Sequence, residues 1–141
     1  MVSRFVVMDE EKPVTLLGHS GIVSRLAYNK EGTLLASASA DCTGRIWSVD
    51  PVKQVSQELK GHKYGVSDIC WHPDQHHAAT AADDMTLAFW NIETGTKLRD
   101  FQGHTHFVYC CQIHPHGSVL VRRSRCNADC GSIQSAAITC A

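Results

Sequence analysis

At 141 residues and 15.5 kDa, the chain has room for one domain of ordinary size. A hydrophobic share of 43% and a charged share of 19% suit a folded globular protein and exclude a disordered, highly charged chain. The net charge of −1, with an isoelectric point near 6.7, provides no electrostatic footprint for nucleic acid or an anionic membrane, so neither is expected as a partner.

Residues 1–13 form a lead-in whose apolar run, Phe5-Val6-Val7-Met8, gives way at once to Asp9, Glu10 and Glu11. That run is too short for the core of a signal peptide, and no later stretch approaches the ~20 apolar residues of a spanning helix. The seven cysteines are odd in number and scattered through strand-like segments. The expected setting is therefore intracellular, with reduced thiols.

The body of the chain repeats itself. Gly-His occurs at Gly18-His19, Gly61-His62 and Gly103-His104, with 43 and then 42 residues between occurrences. In the first unit, residues 14–60, strands are predicted at Ile22–Tyr28, Thr33–Ser39, Gly44–Val49 and Gln54–Leu59. The second, residues 61–102, predicts them at Val66–Trp71, His77–Ala82, Thr86–Ile92 and Lys97–Phe101. Turns at Asn29-Lys30-Glu31-Gly32 and His72-Pro73-Asp74-Gln75 separate the first and second strands. Asp41 and Asp84 each stand 22 residues after the unit's histidine, and Trp47 and Trp90 each stand 28 after it. Four short antiparallel strands in a period of about 42 residues make a propeller blade.

A third unit, residues 103–121, begins in the same way, with Phe107-Val108-Tyr109-Cys110-Cys111, the turn His114-Pro115-His116-Gly117 and Ser118-Val119-Leu120-Val121. Its register then fails. Hydroxyl, aspartate and tryptophan are due at 122, 126 and 132, where the chain has Arg122, Cys126 and Ser132.

On these marks the chain resembles the WD-repeat (WD40) family, with Ile46-Trp47-Ser48 and Phe89-Trp90-Asn91 standing where the family writes Trp-Asp. The resemblance implies an all-β propeller fragment of two complete four-stranded blades and part of a third. It also implies a hydrogen-bonded structural tetrad in each complete blade: His19, Ser37, Asp41 and Trp47, then His62, Thr80, Asp84 and Trp90. Residues 122–141 are expected to be a non-repeat tail, disordered or read out of frame. A neighbouring frame over Val121–Asp129 can encode Cys-Gly-Gly-Arg-Asp-Ala-Thr, which resembles the missing part of a blade. Propellers close with about 4–8 blades, so an isolated fragment is expected to expose apolar faces and self-associate.

Other chemistry is weaker in this sequence. His76-His77, His104-x-His106, His114-x-His116 and Cys126-x3-Cys130 lack the spacing of a defined zinc site, and no metal or other cofactor is expected. With neither a Gly-x-Ser-x-Gly elbow nor a phosphate loop, no enzyme activity is expected. The three arginines at 122, 123 and 125 do not amount to an RNA-binding groove.

The family resemblance implies an interaction scaffold for other proteins. Gly61–Ile69 and Val108–Cys111 are similar to the WD-repeat subunit of histone lysine methyltransferase complexes, whose channel accepts an arginine of a peptide tail. The positions matching that channel are Ala40, Ser67, Asp83 and Tyr109, with Tyr109 standing where the family has phenylalanine. This resemblance implies a nuclear rather than cytoplasmic setting. The alternatives are a WD subunit of another assembly, such as a splicing particle or ubiquitin ligase, and a truncated product without independent function.

Overall fold

The computed structural model describes residues 3–8, 12–49, 52–117, 119–125 and 133–139, and every regular element among them is a β-strand. The lead-in supplies β1 (Ser3–Met8), which pairs with β2 (Pro13–His19). The first repeat continues with β3 (Val23–Tyr28), β4 (Leu34–Ser39), β5 (Thr43–Val49) and β6 (Val52–Lys60). The second repeat forms β7 (Val66–Trp71), β8 (His77–Ala82), β9 (Leu87–Asn91) and β10 (Lys97–Phe101), and the third forms β11 (Val108–Ile113), β12 (Val119–Arg125) and β13 (Ile133–Thr139). Each strand pairs antiparallel with its neighbour in sequence, giving two four-stranded sheets, β3 to β6 and β7 to β10. A three-stranded sheet, β11 to β13, follows, and the β1–β2 pair precedes them.

Small residues let these sheets stack. In β4 (Leu-Leu-Ala-Ser-Ala-Ser) and β8 (His-Ala-Ala-Thr-Ala-Ala) the last five residues are all buried, so both faces of each strand are covered. A central strand covered on both sides needs side chains short enough for neighbouring sheets to close over it. The core accordingly lies in layers between consecutive sheets. Val7 and Leu16 of the first pair meet Leu35 and Trp47. Ala36, Ala38, Ile46 and Leu59 meet Val66, Ile69, Ala78 and Trp90. Ala79, Ala81 and Leu87 meet Val108, Cys111 and Ile113.

Polar links cross the same seams. Asp68, only 7% exposed, receives the Cys111 amide at 3.0 Å and lies 3.4 Å from Arg25 Nε, so one carboxylate on β7 reaches β3 and β11 together. The turns also join in series: the Lys30 amide donates to Gln75 Oε1 at 2.9 Å, and His72 Nε2 lies 3.2 Å from the Gly117 carbonyl.

The opening strand of each repeat carries a β-bulge at the same place. Registry shifts between Val23 and Arg25, between Val66 and Asp68, and between Val108 and Cys110, leaving Ser24, Ser67 and Tyr109 as the inserted residues. A bulge leaves its extra residue out of the ladder and re-aims side chains.

The lead-in expected at residues 1–13 supplies a strand, with Arg4–Met8 paired to Pro13–Leu17. One expectation needs correction. The stretch from 122, expected to be a tail without repeat structure, carries β12 through Arg125 and then β13, paired from Val119↔Thr139 to Arg125↔Ile133. Ladder formation needs only extended backbone and residues tolerant of it, such as Ile133, Ile138 and Thr139. It does not need the hydroxyl, aspartate and tryptophan whose absence prompted the expectation. Cys126, Cys130, Ser132 and Cys140 lie outside the described residues.

Candidate functional site

The turn between the second and third strands builds the first polar cluster. Cys42 takes a positive φ of 71° and turns the chain, so that Asp41 Oδ1 receives the Thr43 amide at 3.0 Å and its hydroxyl at 2.6 Å. The other oxygen receives the Ser20 amide at 3.0 Å and His19 Nδ1 at 2.8 Å. His19 Nε2 lies 2.7 Å from Ser37 Oγ, which accepts the Trp47 indole N–H at 2.9 Å. His19, Ser37 and Trp47 are fully buried.

The second repeat reproduces the arrangement. Met85 turns at φ 66°, and Asp84 takes the Thr86 hydroxyl at 2.6 Å, the Lys63 amide at 3.0 Å and His62 Nδ1 at 2.9 Å. His62 Nε2 lies 2.7 Å from Thr80 Oγ1, which accepts the Trp90 N–H at 2.8 Å. The Gly-His dipeptide now has a steric reason as well. A Cβ at Gly18 would stand 2.9 Å from Trp47 Cη2, and one at Gly61 would stand 3.3 Å from Trp90 Cη2. Thr43 and Thr86 belong to these clusters although the tetrads omit them. Their signal was the Asp-x-Thr spacing common to both repeats.

Electrostatics follow from this geometry. Burial lowers the pKa of His19 despite the opposing hydrogen bond and charge of Asp41. Burial pushes Asp41 upward, but the Thr43 hydroxyl, His19 and the Ser20 amide outweigh it and hold the carboxyl at about 2. Asp84 is lowered in the same way, with burial outweighed by Thr86, Lys63 and His62. Aspartate and histidine are thus spent on fixing turns, with each buried polar atom given a partner.

A second group gathers where the repeats meet. Ser67 Oγ donates to Asp83 Oδ1 at 2.8 Å. A Cβ at Gly65 would lie 3.5 Å from Asp83 Oδ2 and 3.2 Å from Ala40 Cα, so both residues stand close to that glycine. Tyr109 is 47% exposed and meets Phe107 edge-on, with ring centroids 6.3 Å apart. Ser67 and Tyr109 are the bulge residues of their strands, each the fifth residue after its repeat's histidine. Tyr109 belongs to the group by register.

The third unit departs from the first two. His104 is buried, Arg122 pairs in the ladder with Cys111, and Cys126 and Ser132 fall outside the described residues. Elsewhere, the β7–β8 turn draws His72, Asp74 and His77 together, a set that no zinc-type spacing advertised.

Known proteins agree with this architecture. The family model for the WD domain, G-beta repeat (WD40), matches residues 11–48, 53–91 and 95–124. The chain is 40% identical over 82 residues to THO complex subunit 3 of Arabidopsis thaliana, covering 55% of this chain and 26% of that protein. It is 36% identical over 121 residues to Nuclear distribution protein PAC1-2 of Uncinocarpus reesii, covering 78% and 26%. With Pre-mRNA-processing factor 19 of Bos taurus it shares 32% identity over 113 residues, covering 79% and 22%. The chain therefore spans about a quarter of the length of these relatives.

Proposed function

The chain belongs to the WD40 repeat family, and on that premise we propose that it serves as a non-enzymatic interaction scaffold that recognises arginine-bearing peptides beside Ala40, Ser67, Asp83 and Tyr109. The observation that carries this reading is the shared bulge. Ser67 and Tyr109 occupy the inserted position of consecutive first strands, and Ser67 is tied to Asp83 at 2.8 Å. A small hydroxyl, a carboxylate and an exposed aromatic ring are the chemistry that a guanidinium uses for access, charge and stacking. A chromatin-modifying complex is the assembly this recognition suits, with the nucleus favoured over the cytoplasm. The free thiols at Cys42, Cys70, Cys110 and Cys111 suit an intracellular setting.

Membership of another assembly is the second reading. It is favoured by relatives whose names include a THO complex subunit and a pre-mRNA-processing factor. Titration of matched arginine and lysine peptides against a complete propeller that carries these residues separates the two. Arginine recognition requires the arginine peptide to bind more tightly. Tyr109→Ala should weaken it by about 3- to 30-fold, as a desolvated cation–π contact predicts, and Tyr109→Phe should be nearly neutral. Equal affinities, or indifference to Tyr109→Ala, would overturn the arginine site and leave the scaffold reading.

A further inference from the structure

We propose that the β7–β8 turn is a binding site for a divalent transition-metal ion, ligated by His72 Nδ1, an Asp74 carboxylate oxygen and His77 Nδ1. The three ligand groups lie within 4.8 Å of one another. His72 Nδ1 stands 2.9 Å from Asp74 Oδ1, and His77 Nδ1 stands 2.6 Å from Asp74 Oδ2. Gln75, at φ 64°, is the residue that turns the chain and brings positions 72 and 77 to one side.

The hydrogen bonds of His72 state which nitrogen is available. Its Nε2 faces the Gly117 carbonyl at 3.2 Å, and a carbonyl only accepts, so the ring proton sits on Nε2. The Asp74 amide donates to Nδ1 at 3.3 Å, which again makes Nδ1 an acceptor. In the neutral ring a lone pair then faces a carboxylate oxygen across 2.9 Å. A proton on Nδ1 makes this contact an ion pair, and a metal ion in its place would bridge the same two atoms. A ring nitrogen bonded to a backbone carbonyl while its mate ligates is the usual outer support of a metal-binding histidine.

The rings are held in place as well. His77 stacks on Phe89 at 5.3 Å and 12°, while His72 meets the same phenyl edge-on at 5.7 Å and 78°. The three side chains keep 18%, 36% and 27% of their surface exposed, leaving a solvent side where water completes the coordination. Metal–ligand bonds of about 2.0–2.2 Å set tetrahedral ligand atoms roughly 3.3–3.6 Å apart, so binding would widen the two close donor pairs and draw all three atoms around one ion. Two imidazoles and one carboxylate select zinc, nickel or copper over magnesium or calcium. His76, which faces Glu93 at 3.0 Å and is 64% exposed, lies outside the set and serves as the internal control.

The test uses the whole chain, free of any histidine tag. Zn2+ is titrated in competition with a chromophoric chelator, and Co2+ is then bound so that its visible spectrum reports coordination. The site predicts one equivalent bound, a low-coordinate nitrogen–oxygen cobalt spectrum, and a melting temperature that rises with zinc. His72→Gln and His77→Gln should each weaken binding by about tenfold or more, whereas His76→Gln should not. Should His72→Gln fail to fold, because it also meets Gly117, the wild-type cobalt spectrum and His77→Gln carry the decision. Binding no tighter than about 1 mM, affinity unmoved by His77→Gln, or an equal loss in His76→Gln would each overturn the site.

Discussion

His19 Nε2 stands 2.7 Å from the Ser37 hydroxyl, and that contact orders every proton in the first tetrad. The Trp47 indole can only donate, so its N–H fills one lone pair of Ser37. With the neutral imidazole donating from Nδ1 to Asp41, the Ser37 hydroxyl donates to Nε2 at 2.7 Å in preference to the Arg45 carbonyl at 3.4 Å. The chain of donors is complete with a neutral histidine, which agrees with the lowered pKa that burial gives His19.

Removing the terminal acceptor should break this order. Asp41→Ala and Asp84→Ala each strand a histidine N–H and free the amides of the Thr43 and Thr86 turns. Each should cost about 1–3 kcal/mol of stability in urea or thermal unfolding. Equality with wild type for both would count against the structural role of the tetrads.

Thr80 provides a sharper contrast. Thr80→Val keeps the shape but leaves both Trp90 Nε1 and His62 Nε2 facing a methyl group, where the wild type has contacts of 2.8 and 2.7 Å. Trp90→Phe removes one of those donors together with ring volume. If hydrogen-bond satisfaction governs, Thr80→Val should destabilise by about 1–3 kcal/mol despite its conserved volume. A melt unchanged from wild type would show that packing alone holds the blade.

Acid should unfold the chain in two stages. The folded pKa of His19 lies below its ordinary 6.5, so the unfolded chain binds the proton more readily and stability falls as pH drops through about 6.5. Asp41, held at about 2 against an ordinary 3.8, loses its contribution of about 2 kcal/mol as pH falls from the ordinary carboxylate range toward 2. Asp84 adds to the second stage in the same direction. Urea midpoints measured from pH 8 to about pH 2 check both, and Asp41→Ala should flatten the lower stage.

The β1–β2 pair presents Val6, Met8 and Leu17 outward, at 56%, 77% and 50% exposure. Val6 and Met8 alternate along one face, with Leu17 on the same face of the partner strand. A hydrophobic dye should bind there, and sedimentation should detect self-association at higher concentration. Val6→Lys with Leu17→Lys should reduce both. Unchanged dye binding in the double variant would move the sticky surface elsewhere.

Much of the fold was legible because its signals are local. Val66–Trp71, His77–Ala82 and Lys97–Phe101 are strands at the residues their alternation and flanking turns predicted. The Gly-His, aspartate and tryptophan intervals located residues that lie far apart in sequence yet share hydrogen bonds. Strand β13 was illegible because pairing with β12 is a backbone matter that leaves no periodic mark in Ile133–Thr139. The bulges at Ser67 and Tyr109 were hidden for a related reason, since a one-residue slip shows only against the partner strand. His72 and Asp74 were read as turn residues and His77 as the start of a strand, and only the folded turn, with Gln75 at positive φ, brings the three together.

Asp68 sets how this molecule comes apart. In a stack where each layer touches only its neighbours, layers can detach singly, and stability is close to a sum of separate seams. Here one nearly buried carboxylate lies against Arg25 on one side and the Cys111 amide on the other. Peeling the third sheet away would give up the Cys111 amide bond, and loosening the first would withdraw the guanidinium. Either loss is transmitted to the opposite seam through a rigid side chain rather than through the length of a strand. The two seams that flank the second sheet are therefore linked through one carboxylate as well as through their apolar layers.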